Sequence, residues 1–63
     1  MFQLNEMVCI NKLKNRWNIS CCGTIEKLET ETADVYVFNL GGPGADTLVK
    51  SIPLNDLSKI ENP

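Results

Sequence analysis

Apolar runs of six to eight residues, each cut short by turn-forming residues, constrain this chain more than any other feature. Nowhere does a helical period persist; alternation and breaks dominate, and they specify an all-β chain. The first run is Met7 to Leu13, MVCINKL, in which Val8, Ile10 and Lys12 alternate with Met7, Cys9, Asn11 and Leu13. Lys14 to Ser20, KNRWNIS, breaks the pattern and reads as a loop carrying Trp17. A second strand is expected at Cys21 to Leu28, where Gly23 marks either a bulge or a close backbone approach. After the polar ETET connection comes Ala33 to Leu40, ADVYVFNL, the strongest strand by its Val, Tyr and Phe content. Thr47 to Ile52 forms a fourth strand, which Pro53 stops because it has no N–H to donate. Leu54 to Leu57 suits one tight helical turn, and Ser58 to Glu61 a short last strand.

Sixty-three residues make a single domain, 1–63, with a small core. The balance of 43% hydrophobic and 22% charged residues is that of a folded globule and excludes disorder. A net charge of −2 argues against a general nucleic-acid binder, which needs basic residues to displace counterions from phosphates. No apolar run approaches the roughly 20 residues that span a bilayer. MFQLNEM lacks the basic-then-apolar order of a signal peptide, so the expected location is the cytoplasm.

The chain has no histidine and three cysteines, Cys9, Cys21 and Cys22. An odd count argues against a closed disulfide framework, and adjacent Cys21 and Cys22 point to opposite faces of a strand. No C-x₂-C pair is present, so no metal site is expected. The expectation is that Cys9 and one of the adjacent pair are small core residues. Without histidine, proton transfer falls to a carboxylate, lysine, cysteine or tyrosine of shifted pKa, and no partner able to activate a cysteine is recognisable. Glu26, Glu29, Glu31 and Asp34 read as a solvated hairpin rather than an acid–base cluster. No enzyme, no catalytic residue and no cofactor are expected.

Leu40 to Asp46, LGGPGAD, raises the question of a phosphate loop. Its spacing matches neither G-x-G-x-x-G nor G-x-x-x-x-G-K-[ST], and the β-branched segment that follows supplies no helix dipole. Pro43 removes an N–H and suits the second position of a turn, with Gly44 taking positive φ. The segment is read as a turn.

Lys12 to Trp17, KLKNRW, places three cations and an indole together. Lys12, Lys14, Arg16 and Trp17 are the candidate partner-binding residues of this segment. Two readings of Trp17 stand side by side. It is an interface anchor, or it caps one end of the core while the cations solubilise.

The strand order, with one 3₁₀ turn before the last strand, resembles a five-stranded SH3-like barrel, whose closure removes exposed edges. Val8 and Ile10, Trp17, Gly23-Thr24-Ile25 and Val35-Tyr36-Val37 together resemble subunit IV of photosystem I. The same barrel occurs in the variable chain of ferredoxin–thioredoxin reductase and in the small barrel subunit of the photosynthetic NADH-dehydrogenase-like complex. The resemblance implies a cofactor-free accessory protein that docks on an electron-transfer complex. Lys12, Lys14 and Arg16 lie near that family's basic ferredoxin-receiving residues, but Phe38-Asn39-Leu40 departs from its Arg-Phe. Val49 to Ile60 is similar to the end of type II dihydrofolate reductases, with Val49, Pro53, Leu57 and Ile60 in place. The pore residues Gln-Ile-Tyr are replaced by Lys50, Ser51 and Ile52, so this likeness implies a framework without the activity.

The leading expectation is a non-catalytic docking module that binds a larger protein assembly through the loop after the first strand. In SH3-like barrels that loop and the one between the second and third strands form the ligand groove, which implies Tyr36 or Phe38 as a neighbour and adds Tyr36 to the candidate partner-binding residues. The alternatives are a nucleic-acid- or ribosome-associated barrel of KOW or Tudor type, and a reductase-like homo-oligomer with a shared pore for a pterin or dinucleotide.

Overall fold

A computed structural model describes residues 1–60. Five antiparallel strands form one sheet: β1 (Met7–Lys14), β2 (Ser20–Leu28), β3 (Thr32–Val37), β4 (Thr47–Pro53) and β5 (Leu57–Lys59). A 3₁₀ turn, η1 (Leu54–Asp56), precedes β5. The expected elements are present, with ends displaced. β3 stops three residues early because Asn39 adopts φ 57° and turns the chain out of the sheet. The last strand begins one residue earlier than expected, and Glu61 lies outside the described residues.

The strand order is β4-β3-β2-β1-β5, and the sheet is not closed. This corrects the expectation of a closed barrel without edges: among the described residues, β4 and β5 are unpaired on their outer sides. The sheet nevertheless curls. Laid flat at about 4.8 Å per strand, β4 and β5 would stand about 19 Å apart. At a rise of about 2 Å per residue, η1 bridges only about 8 Å of that from Pro53 to Leu57. Two bulges supply the bend. Across β2 and β3, Ile25 pairs with Val35 and Lys27 with Asp34, leaving Glu26 as the extra residue. Across β3 and β4, Ala33 pairs with Ile52 and Val35 with Val49, so Lys50 and Ser51 together face Asp34. Both bulges lie level with Asp34, so the extra twist falls along one line across the sheet.

Curling brings the inward faces into one core of Val8, Ile10, Cys21, Ile25, Ala33, Val35, Val37, Ile52 and Leu57. The bulges preserve this phase, since Ile25 and Leu28, and Val49 and Ile52, pack on the core side although the members of each pair are three positions apart. Gly23 resolves to the close approach rather than a bulge. A Cβ there would clash with the Tyr36 carbonyl oxygen and sit 2.9 Å from Val37 Cα.

Cys21 is the only cysteine in the core; burial pushes its thiol pKa up. Cys9 is not a core residue. It stands on the outer face of β1, directly opposite Cys22 of β2, and the two form a disulfide. The odd count therefore leaves one bridge and one buried thiol.

Candidate functional site

The loop at residues 15–19 between β1 and β2 is built by asparagine. Asn15 Oδ1 accepts the backbone N–H groups of Trp17 at 2.9 Å and Ile19 at 3.1 Å. Asn15 N–H donates to the Ile19 carbonyl, and Asn18 N–H donates to that of Asn15, with Asn18 at φ 62°. Asparagine tolerates that left-handed conformation better than most residues. A five-residue connection is thereby held in one shape by its own hydrogen bonds.

That shape turns its apolar side chains outward. Trp17 is 52% exposed and Ile19 61%, so the indole is not the core cap that one reading proposed. The Arg16 guanidinium lies 5.5 Å from the centre of the Trp17 ring, within cation–π range. Arg16 also reaches the glycine loop at residues 38–46, where a Cβ on buried Gly42 would stand 3.7 Å from its Nη1. Lys14 Nζ donates to Ser20 Oγ at 3.0 Å across the neck of the loop. Among the described residues, Lys12, Lys14 and Arg16 form no salt bridge, whereas Lys27 pairs with Glu29 and Lys59 with Glu6.

The glycine loop settles as a turn. Ala45 N–H donates to the Gly42 carbonyl across Pro43 and Gly44, with Gly44 at φ 77°. The N–H groups of Asn39 and Gly44 donate to the side chains of Asp46 and Asn39. Those of Gly41 and Gly42 are taken by carbonyls within the loop. These donors are therefore committed internally rather than presented to an anion.

The five candidate residues do not form one patch. Ile10 pairs with Cys21 and Lys14 with Ser20, so residues 11–13 of β1 bulge without partners on β2. Lys12 consequently faces a shallow groove of about 260 Å³ between β1 and β4, walled by Ile10, Leu13, Val49 and Ile52, with Asp56 on its rim. Tyr36 lies on the outer face of β3, its ring edge-on to Phe38 at 6.1 Å. Arg16 and Trp17 remain together, with Lys14 below them. The loop at residues 29–31 sits at the far end of β2 from the loop at 15–19, so those two loops do not flank one groove. The neighbour of the first loop is the glycine loop.

Three features escaped the sequence reading. The groove arises from the β1 bulge, which no residue type announces. Asp34, read as a solvated carboxylate, accepts the Ser51 N–H at 2.9 Å and holds Ser51 at φ 59° inside a strand. The disulfide was foreshadowed only by the placement of Cys9 opposite in phase to Val8 and Ile10. Among the described residues, no group of three His, Cys, Asp or Glu side chains is gathered to hold a metal, and no helix is long and apolar enough to cross a membrane. No family model, curated protein or solved structure was found to match the chain.

Proposed function

We propose that this protein is a non-catalytic docking module that binds a larger protein assembly through the loop at residues 15–19. The observation that carries the reading is the Arg16–Trp17 stack, half exposed on a connection already fixed by Asn15. Trp and Arg are the residue types that dominate binding energy when an interface buries them. A loop that is ordered before contact also avoids much of the entropy cost of association. Lys12, Lys14 and Arg16, which have no carboxylate partner among the described residues, favour an acidic surface on the partner. The strand order and the 3₁₀ turn before β5 support placing the sheet with SH3-like barrels in an open form. They are consistent with an accessory role of the kind the photosystem I subunit IV resemblance implies.

The test is a tagged pull-down from native cells, with and without nuclease, comparing wild type with Trp17→Ala and Arg16→Ala. Burying the exposed half of an indole, roughly 100 Å², is worth about 2–3 kcal/mol, so Trp17→Ala should weaken capture at least tenfold. The expected result is a defined protein that survives nuclease and is lost with the variants. Recovery that collapses on nuclease treatment would instead support the nucleic-acid barrel.

A further inference from the structure

We propose that the Cys9–Cys22 disulfide is a thiol–disulfide exchange site, reduced in the folded protein by a dithiol partner and reoxidised by the disulfide form of that partner. The ladder explains why the two sulfurs meet. Phe38 N–H donates to the Cys22 carbonyl, so the backbone polar groups of Cys22 point to β3 and away from β1. Alternation along the ladder then makes Val8–Gly23 hydrogen-bonded and Cys9–Cys22 a close, non-hydrogen-bonded pair. Their Cα atoms are 4.0 Å apart. Neighbouring backbone pairs hold the two residues together whether or not the bond is present.

The site lies apart from the hydrophobic core. Val8, Ile10, Cys21 and Ile25 of the same two strands face the opposite side, buried. Cys9 and Cys22 are partly exposed on the outer face. Opening the bond therefore removes no core contact.

The two flanks differ, and this gives the exchange a direction. On the β3 side Cys22 neighbours Phe38, whose N–H donates to the Cys22 carbonyl. On the β5 side Cys9 neighbours Ser58, which is small and exposed, its hydroxyl donating to Asn11 Oδ1 at 2.9 Å. Approach to Cys9 crosses only the three-residue β5 and the small Ser58, whereas Cys22 is flanked by β3 and the larger Phe38. A thiolate of the reductant attacks Cys9 Sγ, the Cys9–Cys22 bond breaks, and Cys22 leaves as a thiolate that takes a proton. The second thiol of the reductant, deprotonated, then attacks its own sulfur in the mixed disulfide. Cys9 is released and protonated. The dithiol ends as a disulfide, the two cysteines as thiols, and the two protons pass from the one to the other.

Cys21 is the internal control, a free thiol sealed in the core. The experiment treats the native protein with reduced and oxidised dithiothreitol in graded ratios, labels accessible thiols with a maleimide, and reads intact mass and circular dichroism. In the oxidised form no thiol should label in the folded protein and one on unfolding. Reduction should expose two labelled thiols with the β-sheet spectrum unchanged, reversibly. Glutathione, a monothiol, should leave its mixed disulfide on Cys9 when the product is mapped by peptide mass. Cys9 and Cys22 remaining as free thiols in excess oxidised glutathione would overturn the proposal, as would reduction only with unfolding. Glutathione mapped to Cys22 would overturn the assigned direction.

Discussion

At Gly23 the absence of a side chain is a structural requirement, because a Cβ would meet Tyr36 and Val37 backbone in the adjacent strand at 2.9 Å or less. Backbone cannot swing aside as a side-chain tip can, so Gly23→Ala should cost about 3 kcal/mol or more. Gly44 is the contrast. Nothing lies within 4 Å of its Cβ position, and only its φ of 77° penalises a side chain, so Gly44→Ala should cost about 1–2 kcal/mol. Urea denaturation of both variants checks the ordering; equal losses would contradict the close approach. The sequence marked both glycines as special, but it offered two readings of Gly23. Which one holds depends on the β2–β3 register, a long-range property that a local pattern does not encode.

Among the elements, β4 shows how a carboxylate sets strand geometry. Ser51 at φ 59° is an uncommon conformation for a residue with a Cβ, and the Asp34 side chain satisfies the N–H that the bulge frees from the ladder. Asp34→Asn keeps the Oδ1 acceptor and should stay near wild-type stability, whereas Asp34→Ala should lose about 1 kcal/mol. Thermal melts of the pair separate a hydrogen-bond role from a charge role. Equal destabilisation by both variants would show that the charge, not the acceptor, matters. Strands β1, β2 and β4 were legible because alternation and punctuation are local. The early end of β3 was not, since Val-Phe-Asn-Leu reads as strand until Asn39 takes positive φ to accept the Gly44 N–H. The loop at residues 15–19 was legible as a loop, and its Asn15-centred hydrogen bonding only in three dimensions.

For the whole molecule, the open sheet leaves two edges, and both are blunted. β4 carries Lys50 and a bulge, and β5 is three residues long. Edge-to-edge pairing between copies is thereby discouraged, which shifts attention from the sheet margins to the ends of the strands. At one end the 15–19 loop and the glycine loop lie side by side, joined through Arg16 and Gly42. The sequence pointed to Lys12, Lys14, Arg16, Trp17 and Tyr36 as one site. Folding keeps Arg16 and Trp17 at that end, sends Lys12 to the β1–β4 groove and leaves Tyr36 on the outer face. The separation follows from the β1 bulge and from strand alternation acting together. This loop end is the proposed contact surface, and in-cell photo-crosslinking from a benzoylphenylalanine placed at Ile19 tests it, compared with one at Leu48 on β4, also exposed. A discrete heterologous protein captured from position 19 and not from position 48 is the predicted result. Capture of nucleic acid, of a second copy of the chain, or of the same protein from position 48 alone would contradict it.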